Sequence, residues 1–406
     1  MHLLKILGMS SLLRAPRRCF ALALLQPLLL FGPAAFSQEI SLLGSRSGDQ
    51  FAAQAAFSTN GGYVVWQDSL IDGKGFGIAA QKLTTDLAAD GAVFRVNVVV
   101  PDSQVKPQIA LLKNGSYIFV WQSGKNGSED IIARVRTARG AWATGELFVN
   151  TFRKGSQVDP AAAALANGNA VVLWSSADQD GSYWGVYGQR LTPAGAKVGR
   201  EFRVNQSTNF SQRNASVAAL PNGGFVAAWI SEQQRGQGTV DVFARIFKPD
   251  GTPLGDEFLV NTTLNLCAAP AVSSVPGGFA AVWGERNPRG DDKSSDIFMR
   301  TFAADGTGAG EVARVNSTTE GDQMSPKIVS GHDSYEVVWS GPGGIYGQKF
   351  SATGARAGDE IQINGTKRSQ QVQPAATTTS AGGILVLWSG YVFGGSTMDV
   401  FARQLR

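Results

Sequence analysis

One residue rules this chain off into near-equal lengths. Tryptophan stands at Trp66, Trp121, Trp174, Trp229, Trp283, Trp339 and Trp388, at spacings of 55, 53, 55, 54, 56 and 49 residues. The copy around Trp174 shows the order of parts most clearly. It runs through Gln157-Val-Asp-Pro160-Ala-Ala-Ala-Ala-Leu165, a tight Asn167-Gly168, and an apolar Ala170-Val-Val-Leu-Trp174. A polar loop follows, then Gly185-Val-Tyr-Gly-Gln-Arg-Leu191 and Glu201-Phe-Arg-Val-Asn205. Four short apolar runs separated by turn residues read as four antiparallel strands. The fourth run ends in asparagine at Asn97, Asn150, Asn205, Asn261, Asn316 and Asn364. A four-stranded unit of about fifty residues cannot cover its own faces and must stack against copies of itself, as propeller blades do. The expected fold is all-β, a single seven-bladed β-propeller of four-stranded antiparallel blades.

The two ends of the chain bear on closure. The last copy stops at Asp399-Val-Phe-Ala-Arg403, a third strand with no fourth. Glu39-Ile-Ser-Leu42 has the pattern of a fourth strand and lacks the first three. An N-terminal strand completing the last blade would leave no sheet edge open. Residues 38–406 are accordingly read as the propeller.

Residues 1–37 carry Lys5, Arg14, Arg17 and Arg18 without an acid, then an apolar run from Phe20 to Phe31, then Ala35-Phe-Ser37 at a small-x-small site. That is the pattern of a signal peptide. The run is short for a membrane span and is broken by Pro27. Arg17-Arg18-Cys19-Phe20 also fits a twin-arginine export signal. The expectation is an exported protein, periplasmic or extracellular, with no transmembrane segment after signal removal. Without these four bases, the 36 basic residues fall to 32 against 32 acidic ones, so the mature chain offers no footprint for nucleic acid. Of two cysteines only Cys267 remains, so packing, not an intramolecular disulfide, must hold the ring.

Second strands such as Tyr117-Ile-Phe-Val-Trp121 and Ile384-Leu-Val-Leu-Trp388 are apolar at consecutive positions, so both faces must be covered. Replacing one of the repeated tryptophans by alanine is expected to cost about 3 to 5 kcal/mol. First-to-second turns are short and glycine-bearing, as in Asn60-Gly-Gly62 and Asn222-Gly-Gly224, and supply positive φ. The sixth copy has His332-Asp333-Ser334 there instead. Second-to-third loops are irregular: from each tryptophan to the third strand the distances are 12, 10, 12, 13, 14, 6 and 12 residues. Binding residues concentrate on loops held by a rigid frame, so this variable rim is the expected functional face.

Residues repeated from blade to blade are expected to serve the blade. Gln50, Gln104, Gln157, Gln212, Gln323 and Gln371 precede their tryptophans by 16 or 17 residues and are read as tying down the incoming loop. Asp130, Asp241, Asp296 and Asp399 precede third strands and are read as acceptors for loop N–H groups. Asp178 and Asp180 sit in a loop with some resemblance to a calcium turn, so calcium is the one cofactor considered. Blade-specific residues are the candidate ligand-binding set: Trp184, Glu232, Arg235, Glu285, Arg286, Arg289 and Asp291. A tryptophan beside carboxylates and guanidinia can stack on a sugar ring and bond its hydroxyls. The same charges are equally read as a solvated loop.

Catalysis finds little support in these residues. The mature chain has one histidine, His332, in a turn, which argues against Ser-His-Asp and Cys-His relays. Nor is there a phosphate-cradling glycine loop before a helix. Two carboxylates such as Glu232 and Glu285 would suit glycoside chemistry only at about 5 to 9.5 Å apart.

The repeat resembles one found in exported bacterial proteins, including surface and calcium-associated adhesins. Its copies read like Gly-Gly-Phe-Val-Val-x-Trp, Asp-Gly-x-Gly-Ile-Tyr-Gly-Gln-Arg and Gly-x-Glu-Phe-x-Val-Asn, matched best at Gly223 to Trp229, Gly185 to Arg190 and Gly255 to Asn261. The resemblance implies a secreted or surface propeller and brings no catalytic residues. The resulting expectation is a non-enzymatic binding or adhesion module for a glycan or protein partner. A carboxylate-dependent glycan hydrolase or lyase at the channel mouth is the alternative.

Overall fold

The computed structural model describes residues 38–44, 46–289, 293–308, 310–365, 370–391 and 395–405. The expected signal peptide and Asp291 lie outside them. The strands follow the tryptophan ruler. After β1 (Ile40–Ser41) come β2 (Gln50–Ser58), β3 (Gly61–Asp68), β4 (Gly77–Leu83) and β5 (Phe94–Arg95), then β6 (Ser103–Leu111), β7 (Tyr117–Gly124), β8 (Asp130–Arg136) and β9 (Leu147–Phe148). Next are β10 (Gln157–Ala164), β11 (Ala170–Ala177), β12 (Trp184–Leu191), β13 (Lys197–Arg203), β14 (Gln212–Ala219), β15 (Phe225–Glu232), β16 (Val240–Phe247) and β17 (Phe258–Leu259). The chain continues with β18 (Leu266–Val275), β19 (Gly278–Arg286), β20 (Ser295–Ala303), β21 (Ala313–Arg314), β22 (Met324–Ser330), β23 (Ser334–Gly341), β24 (Gly344–Ser351) and β25 (Ile361–Gln362). It ends with β26 (Gln371–Thr378), β27 (Ile384–Tyr391) and β28 (Met398–Leu405).

Consecutive strands pair antiparallel in sheets of four, the construction of a β-propeller. One sheet has eight strands because the set β14–β17 meets the set β18–β21 through a single parallel pair, Val240 with Leu266. β1 pairs antiparallel with β28, Ile40 opposite Ala402 and Ser41 opposite Phe401. Residues from opposite ends of the chain thus share one sheet.

All seven tryptophans are fully buried, each between its own sheet and a neighbouring one. Trp174 packs against Ile118, Val120, Ile131 and Ala133 of the preceding sheet. Trp66 does the same against Leu385, Leu387, Val400 and Ala402 of the last sheet. Consecutive apolar positions are used on both faces, which is why the second strands do not alternate.

Polar side chains also cross between sheets. The third-strand arginines Arg134, Arg245, Arg300 and Arg403 donate to the carbonyls of Val96, Val204, Val260 and Ile363 in the sheet before. Glutamates beside the fourth strands accept backbone N–H groups from that preceding sheet: Glu146 from Val98, Glu201 from Thr151, Glu257 from Ser207 and Glu360 from Ser317. Glu39, at the far end of the sequence, accepts from Gly365 at 2.7 Å in the same manner.

The first strands carry a feature that their sequence conceals. Ala52, Lys106, Asp159, Asn214, Ala269, Ser325 and Gln373 all have positive φ, between 48° and 57°. Each sits at a β-bulge where the register with the second strand slips, as between Val158 and Ala161. Five of the seven precede a buried proline: Pro107, Pro160, Pro270, Pro326 and Pro374. A proline cannot donate to a ladder, so the bulge is where it can be housed. Each first strand packs on the next, and β26 packs on β2, so that the seven surround a central cavity of about 330 Å³.

Candidate functional site

Most repeated polar residues are committed to the scaffold. Trp121, Trp174, Trp339 and Trp388 donate their indole N–H to Gln104, Gln157, Gln323 and Gln371 at 2.6–3.2 Å. The glutamine amide turns back to the entering loop, Gln157 Nε2 to the Lys154 carbonyl and Gln104 Nε2 to that of Pro101. These glutamines tie the loop to the tryptophan of their own sheet, not to a ligand. The fourth-strand asparagines accept a backbone N–H from the second or third residue of the third strand, for example Val186 to Asn205 at 2.8 Å. Their amides donate to Asp130, Asp241 and Asp296. Those aspartates serve an asparagine amide, where loop N–H groups were expected.

The blade-specific candidates divide among separate networks. Glu285 is 4% exposed. It accepts from the Trp283 indole at 2.9 Å, Thr263 Oγ1 at 2.7 Å and Asn265 Nδ2 at 2.8 Å. Opposite it stands Cys267, at the place the other first strands give to glutamine, so Glu285 takes over the glutamine's duty to the indole. Burial pushes the Cys267 thiol far up, first by desolvation and then through the Glu285 and Asp241 charges, so it stays an inert neutral thiol. Arg235 clamps Asp241 and the Thr263 carbonyl. Glu232 pairs with Arg213 at 2.7 Å. Trp184 opens β12, half-buried, with a bridge to Ser211. Arg286 is exposed at the end of β19, opposite Ser295, and Arg289 is exposed on the loop that leaves the strand.

Asp178 and Asp180, the two residues of the calcium reading, both make contacts within the protein. Asp180 is engaged by Asn205 Nδ2 and the Ser182 N–H, both at 3.3 Å, and Asp178 is held by its backbone at a left-handed corner. Among the described residues no group of three or more acidic, histidine or cysteine side chains gathers that could hold a metal ion.

The central cavity concentrates the chemistry instead. Its charged lining consists of Lys106, Asp159 and Lys327. Lys106 and Asp159, on adjacent first strands, form an ion pair at the bulge level. Lys327 lies on β22, three first strands away from either of them around the cavity. It belongs to the next layer, with Gln54, Gln108, Ala161, Ser216, Ala271 and Ala375, each opposite the residue before a tryptophan. Lys327 is exposed to the solvent of the cavity, and the first strands packed around that cavity hold its ammonium below the ordinary lysine range by desolvation. Among the described residues it makes no hydrogen bond or ion pair. Sequence reasoning passed over all three residues, because the first strand was read as a plain extended run. The X-Pro pairs at Lys106-Pro107, Asp159-Pro160 and Ser325-Pro326 were the available signal.

No protein-family model and no curated protein matches this sequence. Solved structures do match in shape. An ulvan lyase described as a new polysaccharide lyase family aligns over 90% of this chain and 95% of its own, at TM-score 0.53 and 9% identity. The Penicillium chrysogenum α-L-arabinanase, solved with arabinobiose, aligns over 81% and 98%, at TM-score 0.52 and 14% identity. The β-propeller domain of the Trilobed protease from Pyrococcus furiosus aligns over 88% and 94%, at TM-score 0.52 and 7% identity. Glycan-cleaving enzymes recur among these neighbours, which contradicts the expectation of a non-enzymatic binding or adhesion module. The likeness itself is one of fold: the chain has the architecture of a β-propeller.

Proposed function

We propose that this protein is a glycan-cleaving enzyme, a lyase for acidic polysaccharides, working in the axial cavity of a closed seven-bladed propeller. The ring reading takes the eight-stranded sheet as two blades joined by one bridge, and β1 as the fourth strand of the last blade. The pairing of Ile40 with Ala402, the Glu39 contact to Gly365 and the packing of β26 on β2 support it. Export through the leader-like first 37 residues would bring such an enzyme to extracellular or periplasmic glycans.

One observation carries the choice of chemistry: among the described residues, Lys327, unpaired and with a depressed pKa, faces a cavity in which Asp159 is the one lining carboxylate, and that carboxylate is already paired. A hydrolase needs two carboxyl groups facing the scissile bond. A lyase needs a base and a group to neutralise the uronate carboxylate. In the proposed step neutral Lys327 Nζ takes the C5 proton of a uronate. The electron pair forms the C4–C5 double bond, and the C4–O bond breaks with its pair going to the leaving sugar oxygen, which takes a proton from water, while the Lys327 ammonium later returns its proton to solvent. The spare N–H groups of Lys106 meet the uronate carboxylate as charge moves onto it. A lysine whose ammonium is disfavoured by the strands around it gives up its proton more readily than a free one, which suits it to such proton transfer.

The test is turnover on polyuronates and on neutral arabinans or xylans, followed by the ultraviolet absorbance of the unsaturated product and by new reducing ends. The proposal expects absorbance and reducing ends to rise together on a polyuronate, with a loss of about a hundredfold or more in Lys327→Ala. Reducing ends without the absorbance, or full activity in Lys327→Ala, would refute it. The ulvan lyase and the arabinanase support the glycan class.

A further inference from the structure

At the end of the sheets that carries the first-to-second turns, β23 breaks its own rule. The residue three before each tryptophan is Tyr63, Ile118, Val171, Val226, Ala280 and Leu385 in six copies, and Glu336 in the sixth copy along the chain. Glu336 is 4% exposed, and among the described residues it makes no hydrogen bond or ion pair. It lines a half-enclosed cavity of about 260 Å³, which also includes His332, Ser334 and Lys349 beside the apolar Ile384 and Leu405 of the last sheet. The fold makes room for it: a Cβ on Gly347 would come within 3.2 Å of Glu336 Oε1. Lys349 is its direct cross-strand neighbour, yet the two make no ion pair. Each therefore keeps bonding capacity toward the cavity.

An unsatisfied buried carboxyl is costly, and neither turn strain nor packing accounts for it here. A cationic ligand would be opposed by Lys349 and an anionic one by Glu336. An uncharged hydroxyl suits both, since it donates to a carboxylate while accepting from an ammonium. Ile384 and Leu405 add an apolar wall of the kind that C–H faces pack against. We propose that this cavity binds an uncharged polyhydroxylated molecule of monosaccharide size, with neighbouring hydroxyls bridging Glu336 and Lys349. The site is separate from the central cavity and does not depend on the reaction proposed there.

The test is a titration of the ¹⁵N-labelled protein with free glucose, galactose, xylose, arabinose and glycerol, alongside methylammonium and acetate. At least one of the uncharged probes is expected to give saturable shifts at Gly331, Ser334, Gly382 and Gly383. Its affinity should fall about tenfold or more in Glu336→Leu and in Lys349→Met. Leucine already stands at this place in β27, so the first variant keeps an accepted shape, and retention of its amide spectrum checks the fold. Absence of shifts with every uncharged probe, shifts unchanged in both variants, or shifts with methylammonium or acetate alone would overturn the proposal. Polyuronate turnover, measured on the same variants, should stay at the wild-type level. A change in turnover without loss of sugar binding would also count against a separate site.

Discussion

Replacing Glu336 should remove a pH dependence of stability that the buried carboxyl creates. Burial raises its pKa from 4.5 to about 7, with Lys349 across the strand pair offsetting part of that rise. The folded state then holds the proton more tightly than the unfolded chain does. The contribution is present in full below the unfolded pKa, fades as pH climbs from about 4.5 toward 7, and above that is lost. A rise of this size corresponds to on the order of 3 kcal/mol. His332 and Asp333 line the same cavity, and His332 is raised by its bond to Asp333. Both remain in a Glu336→Gln variant and cancel in the comparison. Urea unfolding of wild type and Glu336→Gln between about pH 5 and about pH 8 isolates the term. The wild type should lose on the order of 3 kcal/mol relative to the variant across that range. A constant difference between the two proteins would refute the assignment of a buried, uncompensated carboxyl.

Three further outcomes follow from the scaffold contacts. The Trp174 indole bonds Gln157, whereas that of Trp229 has no partner among the described residues. Trp174→Phe should therefore be the costlier by about 1 kcal/mol, and equal losses in thermal or urea unfolding would contradict the indole's role. Glu285→Ala leaves three donors without their acceptor and should cost about 3 kcal/mol or more, while Arg286→Ala, exposed at the end of β19, stays within about 0.5 kcal/mol. Loss of turnover in Glu285→Ala with stability intact would return it to the catalytic candidates. Deleting residues 38–44 uncovers the edge of β28 and should lower the melting temperature and promote self-association, read by light scattering. Unchanged stability would argue against a ring fastened by that strand.

The architecture was largely legible because it is repeated. A tryptophan at fixed spacing, an asparagine ending each fourth strand and glycine turns between them have one packing solution, and small errors in one copy are corrected by the rest. The site was far less legible for the same reason. Glu285 looked singular because its glutamine counterpart is missing from β18, and the compensation by a cross-strand carboxylate becomes visible only when Cys267 and Glu285 stand opposite each other. Arg235 looked free until the chain brought Asp241 and Thr263 to it. Lys327 and Glu336 were the reverse case. Each interrupts a repeated position with a charge, Lys327 where other copies have glutamine, alanine or serine, and Glu336 where they have apolar residues. Comparing copies position by position points to both. Reading strands as merely extended hides the bulge that turns the first of them toward the cavity.

In the proposed function, chemistry occurs where the first strands converge on the central cavity. A crystal structure of the Lys327→Ala variant with a polyuronate oligosaccharide tests it most directly. The prediction is a uronate seated in the central cavity, its carboxylate toward Lys106 and its C5 hydrogen toward position 327. Sugar bound on the outer loops, with the cavity filled by solvent and turnover persisting in the variant, would contradict it.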